Sequence, residues 1–290
     1  MAHPNRLANA RVLVFGGTSG IGFAVASLAA SQGAYVTISG SKQPKVDDKV
    51  SLLRSYYPSN PPEKIAGLAL DLLDTTNLES NLAAFFDKLT ENGAKKFNHI
   101  VFTAGDFIFM PKIHEVTVEN VMPTFTVRFL VPLLIGKLIA TGKYVDKSLA
   151  SSFTITGGTN TKRPAKGWVV AASVGGSSEG LMRGLAVDLA PVRVNLVEAG
   201  AIDTELLQNF TRQTPPDVLE QMKLTNGLLG TFGLASDVAE AYGWFMRDQN
   251  ATGAVAASDN GRLLTGIPLT GNMATEEEKR KEREERTGRA

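Results

Sequence analysis

Apolar and polar positions alternate along this chain in blocks that change period from strand-like to helical and back. Residues 12–15 (VLVF) form an apolar, β-branched run, and the alanine-rich stretch 23–30 after them has helical spacing. The same succession returns downstream. Strands are predicted at 34–39 (AYVTIS), 65–70, 99–105 (HIVFTAG), 152–156, 192–200 (VRVNLVEAG) and 254–261, and helices at 78–89, 115–139, from Trp168 to about Ala190, and at 237–248. The runs at 12–15 and 99–105 are apolar, and helices are expected on both faces of the sheet. Strands alternating with helices predict an α/β fold, a single-domain doubly wound parallel sheet over residues 1–273. A Pro-containing stretch near 203–230 is expected to form a lid over the substrate. The mixed-charge tail 274–290 (ATEEEKRKEREERTGRA) has no apolar face. In the long 115–139 pattern, Arg128 stands among apolar residues, and Pro123 and Pro132 should bend the helix.

Composition narrows the function classes. The chain has 290 residues, 43% of them hydrophobic, with a net charge of +1. That is enough to bury a full core, and it carries no electrostatic footprint for nucleic acid or an anionic membrane. There is no cysteine, which excludes a thiolate nucleophile or cysteine-ligated metal. His3, His99 and His114 lack metal-like spacing, and no nucleophile elbow is present. The start has no signal-peptide order, and no run of about twenty apolar residues stands out. The expectation is a soluble, cytoplasmic protein without a membrane or nucleic-acid partner.

The candidate chemistry lies at strand ends. Gly16, Gly20 and Gly22 give G-x-x-x-G-x-G between the first strand and first helix. Unpaired first-turn amides and the helix dipole can hold a pyrophosphate there without a basic side chain. After the second strand come Ser41 and Lys42 and no acid; hydroxyl and ammonium suit a ribose 2′-phosphate, hence NADP(H), although a lysine there also serves as a solvated loop residue. Asp71 closes the third strand and either accepts from an adenine amino group or caps the next helix.

Taken in order, FGGTSGIG, Asp71, FTAG, LAVDLAPVRVN and AGAIDT resemble the short-chain dehydrogenase/reductase family over about residues 11–264. The resemblance implies cofactor contacts from Gly16, Thr18, Ser19, Ile21, Ser41, Lys42, Asp71, Ala104, Gly105 and Thr204. Phe15 stands where the family usually has threonine, and Phe102 and Thr103 where it has paired asparagines; both changes are expected to weaken hydrogen bonds that stabilise the turn. The family's Asn-Ser-Tyr-Lys tetrad is missing. Its places hold Arg128, Gly158, Ala171 and Gly175, and no tyrosine occurs between Tyr144 and Tyr242.

Ketone reduction makes an alkoxide and needs a proton donor, whereas hydride addition to an iminium cation gives a neutral amine and needs none. The lost tetrad is thus a statement about substrate. Ala171 and Gly175 are expected to widen the pocket for a bulky small molecule. Arg128 is the leading catalytic candidate, a permanent cation able to hold a carbonyl, carboxylate or enolate oxygen, with an ion pair at a subunit interface as its alternative. Trp168 offers an indole for stacking, or ordinary packing. Asp106 either balances a substrate cation or caps a turn. The pattern resembles the fungal bifunctional reductase/Diels–Alderases of bicyclic indole-alkaloid biosynthesis, which lack the tetrad and use an arginine on this helix. They also carry an aspartate near the tryptophan, where Arg163, Pro164, Ala165 and Lys166 supply no acid. That resemblance implies reduction of an iminium-bearing prenylated indole coupled to an intramolecular [4+2] closure. A cofactor-independent cyclase or isomerase, and a non-catalytic NADP(H)-binding protein, are the other readings. The family resemblance further implies a homodimer or homotetramer formed through the Arg128 helix and the 171–190 helix.

Overall fold

A computed structural model of the chain describes residues 3–105 and 110–265. Asp106 and the charged tail from Ala274 lie outside the described residues. Seven parallel strands form one sheet: β1 (Arg11–Phe15), β2 (Tyr35–Ser39), β3 (Ile65–Gly67), β4 (His99–Phe102), β5 (Ser152–Gly158), β6 (Arg193–Ala199) and β9 (Val255–Ser258), in the order β3-β2-β1-β4-β5-β6-β9. The strand order reverses between β1 and β4, and ligands of open parallel sheets bind at the carboxyl ends of strands flanking such a reversal. Two short strands, β7 (Ile202–Asp203) and β8 (Gly233–Leu234), pair with each other beyond β6.

Two apolar layers sandwich the sheet. On one face, α1 (Gly20–Ser31), α2 (Gln43–Tyr56) and α9 (Ala235–Arg247) bury Val25, Val46 and Tyr242 against Val12, Val14, Ile38 and Val197. On the other, α3 (Leu78–Thr90), α5 (Val131–Ala140) and α6 (Val169–Asp188) bury Phe86, Ile135 and Met182 against Leu13, Phe15, Phe102 and Leu196. The aromatic residues at 15 and 102, unusual for the family, belong to this second layer. Phe15 lies 5.5, 6.2 and 5.6 Å between centroids from Phe85, Phe86 and Phe102, contacts worth about 0.5–1.5 kcal/mol each beyond area burial.

Several elements depart from the sequence pattern. β3 is shorter than predicted, although Leu68 and Leu70 still donate to Ile38 and Gly40 carbonyls alongside β2. Helix α2 was not predicted, and the stretch after β7 holds two more helices, α7 (Glu205–Thr211) and α8 (Pro216–Asn226). The long apolar pattern is α4 (Val118–Phe125), a π-helical turn over Thr126–Leu130, and α5. By length and composition, Val118–Ala140 is apolar enough to cross a membrane, a property the sequence reading did not register. Its second half seats Val131, Ile135, Gly136 and Ile139 in the core.

Candidate functional site

The glycine turn is built for close approach. Gly16 has φ +76°, and a Cβ there would lie 2.6 Å from the Ala104 amide nitrogen; a Cβ on Gly22 would collide with the Gly16 carbonyl and Thr103 Oγ1. Thr103 Oγ1 donates to the Phe15 carbonyl at 2.8 Å, so this departure from the family's asparagines retains a bond across the turn. Thr18 is buried, with its methyl over Gly40. Ser19 caps α1 in extended backbone but makes no side-chain bond to it. Instead the Glu205 carboxylate, from the start of α7, accepts from the Gly20 amide at 3.1 Å. A side-chain anion thus stands where the dipole and free amides favour a phosphate, and the turn fits the phosphates of a dinucleotide.

The other cofactor candidates surround this turn. Thr204 places its methyl 3.0 Å from where a Gly20 Cβ would be and donates to the Ile202 carbonyl. Ile21 packs on the α1 face of the core, and Ala104 closes on Gly16. Ser41 and Lys42 are exposed after β2, with Lys42 at the head of α2. Asp71 does not cap α3, whose N-cap is Asn77; its Oδ1 accepts from the Leu73 amide at 2.9 Å, closing a local turn. Among the described residues, no group of three or more His, Asp or Glu could hold a metal.

Arg128 reaches this edge because its helix is irregular. The Val131 amide donates to the Thr126 carbonyl, five residues back, which defines the π turn. Pro132 has no amide to give to the Arg128 carbonyl four residues earlier, and Ser178 Oγ on α6 approaches that oxygen at 3.4 Å instead. The side chain runs to the end of β4. A Cβ on Gly105 would fall on the guanidinium, 2.6 Å from Nη1 and nearer still to Cζ, so Gly105 is the seat of this cation.

The vacated tetrad positions are not empty. A Cβ on Gly158 would strike Asn160 Oδ1, and one on Gly175 would strike Thr161 Oγ1. Ala171 is only 3% exposed. The expected widening is therefore corrected at Gly175, where the β5–α6 loop has folded Thr161 into the space. Thr159 Oγ1 and Thr161 Oγ1 are buried there without a hydrogen-bond partner.

The loop is anchored further along. Lys162 Nζ pairs at 2.8 Å with Glu198 on β6, a carboxylate whose side chain is 1% exposed. Glu198's register neighbours are Gly157 and Ala257, both small enough to leave it room. Arg163 Nη1 donates to the Arg262 carbonyl and Thr265 Oγ1, and Arg262 Nη2 donates back to the Arg163 carbonyl. Burial, with Arg163 adding to it, pulls the Arg262 pKa below its usual value. Beyond these anchors Trp168, half-buried, opens α6, and an apolar cleft of about 490 Å³ lies between Pro164, Ala165, Gly167 and Trp168 and the first turns of α6 at Val169, Ala172 and Ser173. Glu198, Glu205 and Thr161 were not singled out from sequence. Their partners are 36, 185 and 14 residues away, and no spacing rule reaches them.

Comparison with known proteins agrees with this architecture. A family model described as an SDR-like Rossmann domain matches residues 3–265. The chain is 40% identical over 253 residues to the short-chain dehydrogenase/reductase malC of Malbranchea aurantiaca, covering 87% of this chain and 94% of that one. The solved structure of that organism's MalC reductase/Diels–Alderase superposes with a TM-score of 0.83 at 39% identity, over 90% of this chain and 100% of that one. The short-chain dehydrogenase/reductase ucsE of Acremonium sp is 37% identical, covering 90% of this chain and 97% of that one. A small-chain dehydrogenase in complex with NADPH matches at 25% identity and a TM-score of 0.69, over 89% of this chain and 100% of that one.

Proposed function

Because the chain belongs to the short-chain dehydrogenase/reductase family, we propose that it is an NADP(H)-dependent reductase of secondary metabolism acting on a cationic, iminium-type small molecule, with an intramolecular [4+2] closure as its companion step. When bound, NADPH supplies a hydride to the iminium carbon, giving a neutral amine with no proton to place. Its phosphates would rest on the α1 turn among Gly16, Thr18, Ser19, Ile21 and Thr204, with Ser41 and Lys42 at the 2′-phosphate and Asp71, Ala104 and Gly105 as further contacts. A relative named reductase/Diels–Alderase, and another structure of this fold that holds NADPH, support that reading.

The observation that carries it is the exchange at the catalytic edge. The serine and lysine places of the lost tetrad, Gly158 and Gly175, are crowded by Asn160 and Thr161, the tyrosine place is held by Ala171, and a permanent cation, Arg128, is seated on Gly105 at the end of β4. Arg128 holds an oxygen of the substrate by charge-assisted hydrogen bonds, Trp168 forms a flat wall, and the 203–230 stretch, with Leu206, Leu224 and Leu229 exposed, closes over the substrate as a lid. Incubation with NADPH and a cyclic iminium should consume cofactor. The Arg128→Ala variant should lose product yield or stereocontrol while still binding nucleotide; normal turnover by that variant would remove Arg128 from the chemistry. If product forms equally without NADPH, the cyclase reading, favoured by the apolar cleft beside Trp168, takes its place.

A second copy of the chain is the expected partner. Gly176, Gly180 and Gly184 form one exposed line along α6, where a Cβ on any of them would meet nothing within 4 Å, and Val169 and Val187 flank it. Sedimentation should give a dimer or tetramer.

A further inference from the structure

The Glu205 contact carries a consequence for cofactor affinity. Helix α1 has no acidic residue in its first turn and no side-chain cap, so its positive end is served from outside, by a carboxylate 185 residues along the chain that accepts from the Gly20 amide. Thr204 seats the start of α7 on the same glycine. A phosphate arriving at this turn meets an anion already on one of its amides. Two anions a few ångströms apart repel, and one hydrogen on one amide cannot serve both well.

We propose that Glu205 is an internal competitor of the cofactor: it occupies the first turn of α1 until the dinucleotide displaces it, and so sets the affinity for NADP(H). The proposal rests on the cofactor reading given above. The carboxylate is solvent-exposed, so water and salt screen it and the effect is one of severalfold, not of orders of magnitude.

Calorimetric titration of NADPH into the wild-type protein and into the Glu205→Gln, Glu205→Ala and Asp203→Asn variants tests this. Circular dichroism confirms that each is folded. Removing the Glu205 charge should tighten binding about three- to tenfold in both variants, less so at high salt. Asp203→Asn removes the same charge at a carboxylate that lies two residues before Glu205 and accepts from Gln208 Nε2, and should bind as wild type does. Unchanged or weaker binding by both Glu205 variants, or equal tightening by Asp203→Asn, overturns the proposal. If none of the folded proteins binds NADPH, the cofactor assignment itself falls, and the proposal with it.

Discussion

Replacing Gly175 by alanine tests whether the space left by the missing tetrad is truly occupied. In a helix interior, glycine to alanine ordinarily stabilises by about 1 kcal/mol. Here the new Cβ would coincide with Thr161 Oγ1, with Thr161 Cβ only 3.1 Å away. Threonine is stiff at χ1, so relief requires a rotamer change that moves both branches, or a shift of the loop. Overpacking costs about 1–3 kcal/mol, and a Cβ that coincides with an oxygen belongs at the upper end, about 2–3 kcal/mol. The clash should outweigh the helix gain, leaving Gly175→Ala about 1–2 kcal/mol less stable, a fall of a few degrees in Tm for a chain of this size. Thr161→Ala removes the obstructing oxygen, which is buried without a partner, and should be close to neutral. Adding Gly175→Ala to it should then recover the full helix gain. Urea denaturation of the four proteins gives the coupling between the two sites, expected at about 2–3 kcal/mol from the sum of those two effects. A Gly175→Ala single variant as stable as the wild type would refute the packing of Thr161 on Gly175.

Four further outcomes follow from the geometry. Lys162→Met leaves Glu198 buried and unpaired; because Lys162 is itself 42% exposed, the loss should be about 1–3 kcal/mol, below that of a fully buried pair, and Glu198→Gln in the same chain should restore most of it in urea melts. His99 is held neutral, its pKa pulled down to about 3 by burial and then by Arg193. The unfolded chain therefore binds the extra proton between pH 6.5 and 3, so stability is full above about pH 6.5 and falls by about 1.4 kcal/mol per pH unit below it, a slope that His99→Gln should remove from the urea midpoints. Gly105→Ala should displace the Arg128 guanidinium and reproduce the product loss of Arg128→Ala, as read by product analysis, while Gly176→Ala, whose Cβ meets nothing, should leave the monomer's stability unharmed.

The fold was legible where burial imposed a pattern. Strands β1 and β4 carry unbroken apolar runs, VLVF and IVF, because helices cover both faces of the sheet, and the α1 turn announced itself because its glycines are demanded by close contact with Ala104 and Thr103. Helix α2 escaped because only Val46, Val50 and Leu53 are buried along its 14 residues, and α7 and α8 escaped because they bury none. In the site, Arg128 and the missing tetrad could be read from position along the chain. The refilling by Thr161, the pinning of Lys162 by Glu198 and the Glu205 contact could not, since each joins residues whose proximity only the folded backbone creates. Of the two readings of Asp71, adenine contact or helix cap, the cap falls because the chain makes a separate turn at Leu73 before α3.

The π turn at Thr126–Leu130 has a consequence for how this cation is acquired or lost. A π turn amounts to one residue more than an α-helix of the same span, so deleting that residue would leave both flanking helices in place and change only which side chain stands at the turn. Val131, Ile135 and Ile139 hold the following helix to the core, and the register that would be lost is that of the turn itself, where Arg128 lies over Gly105. Grafting an arginine onto the same place in a regular helix of a relative would aim it elsewhere. The unit to transplant is Arg128 with its π turn, Pro132 and Ser178.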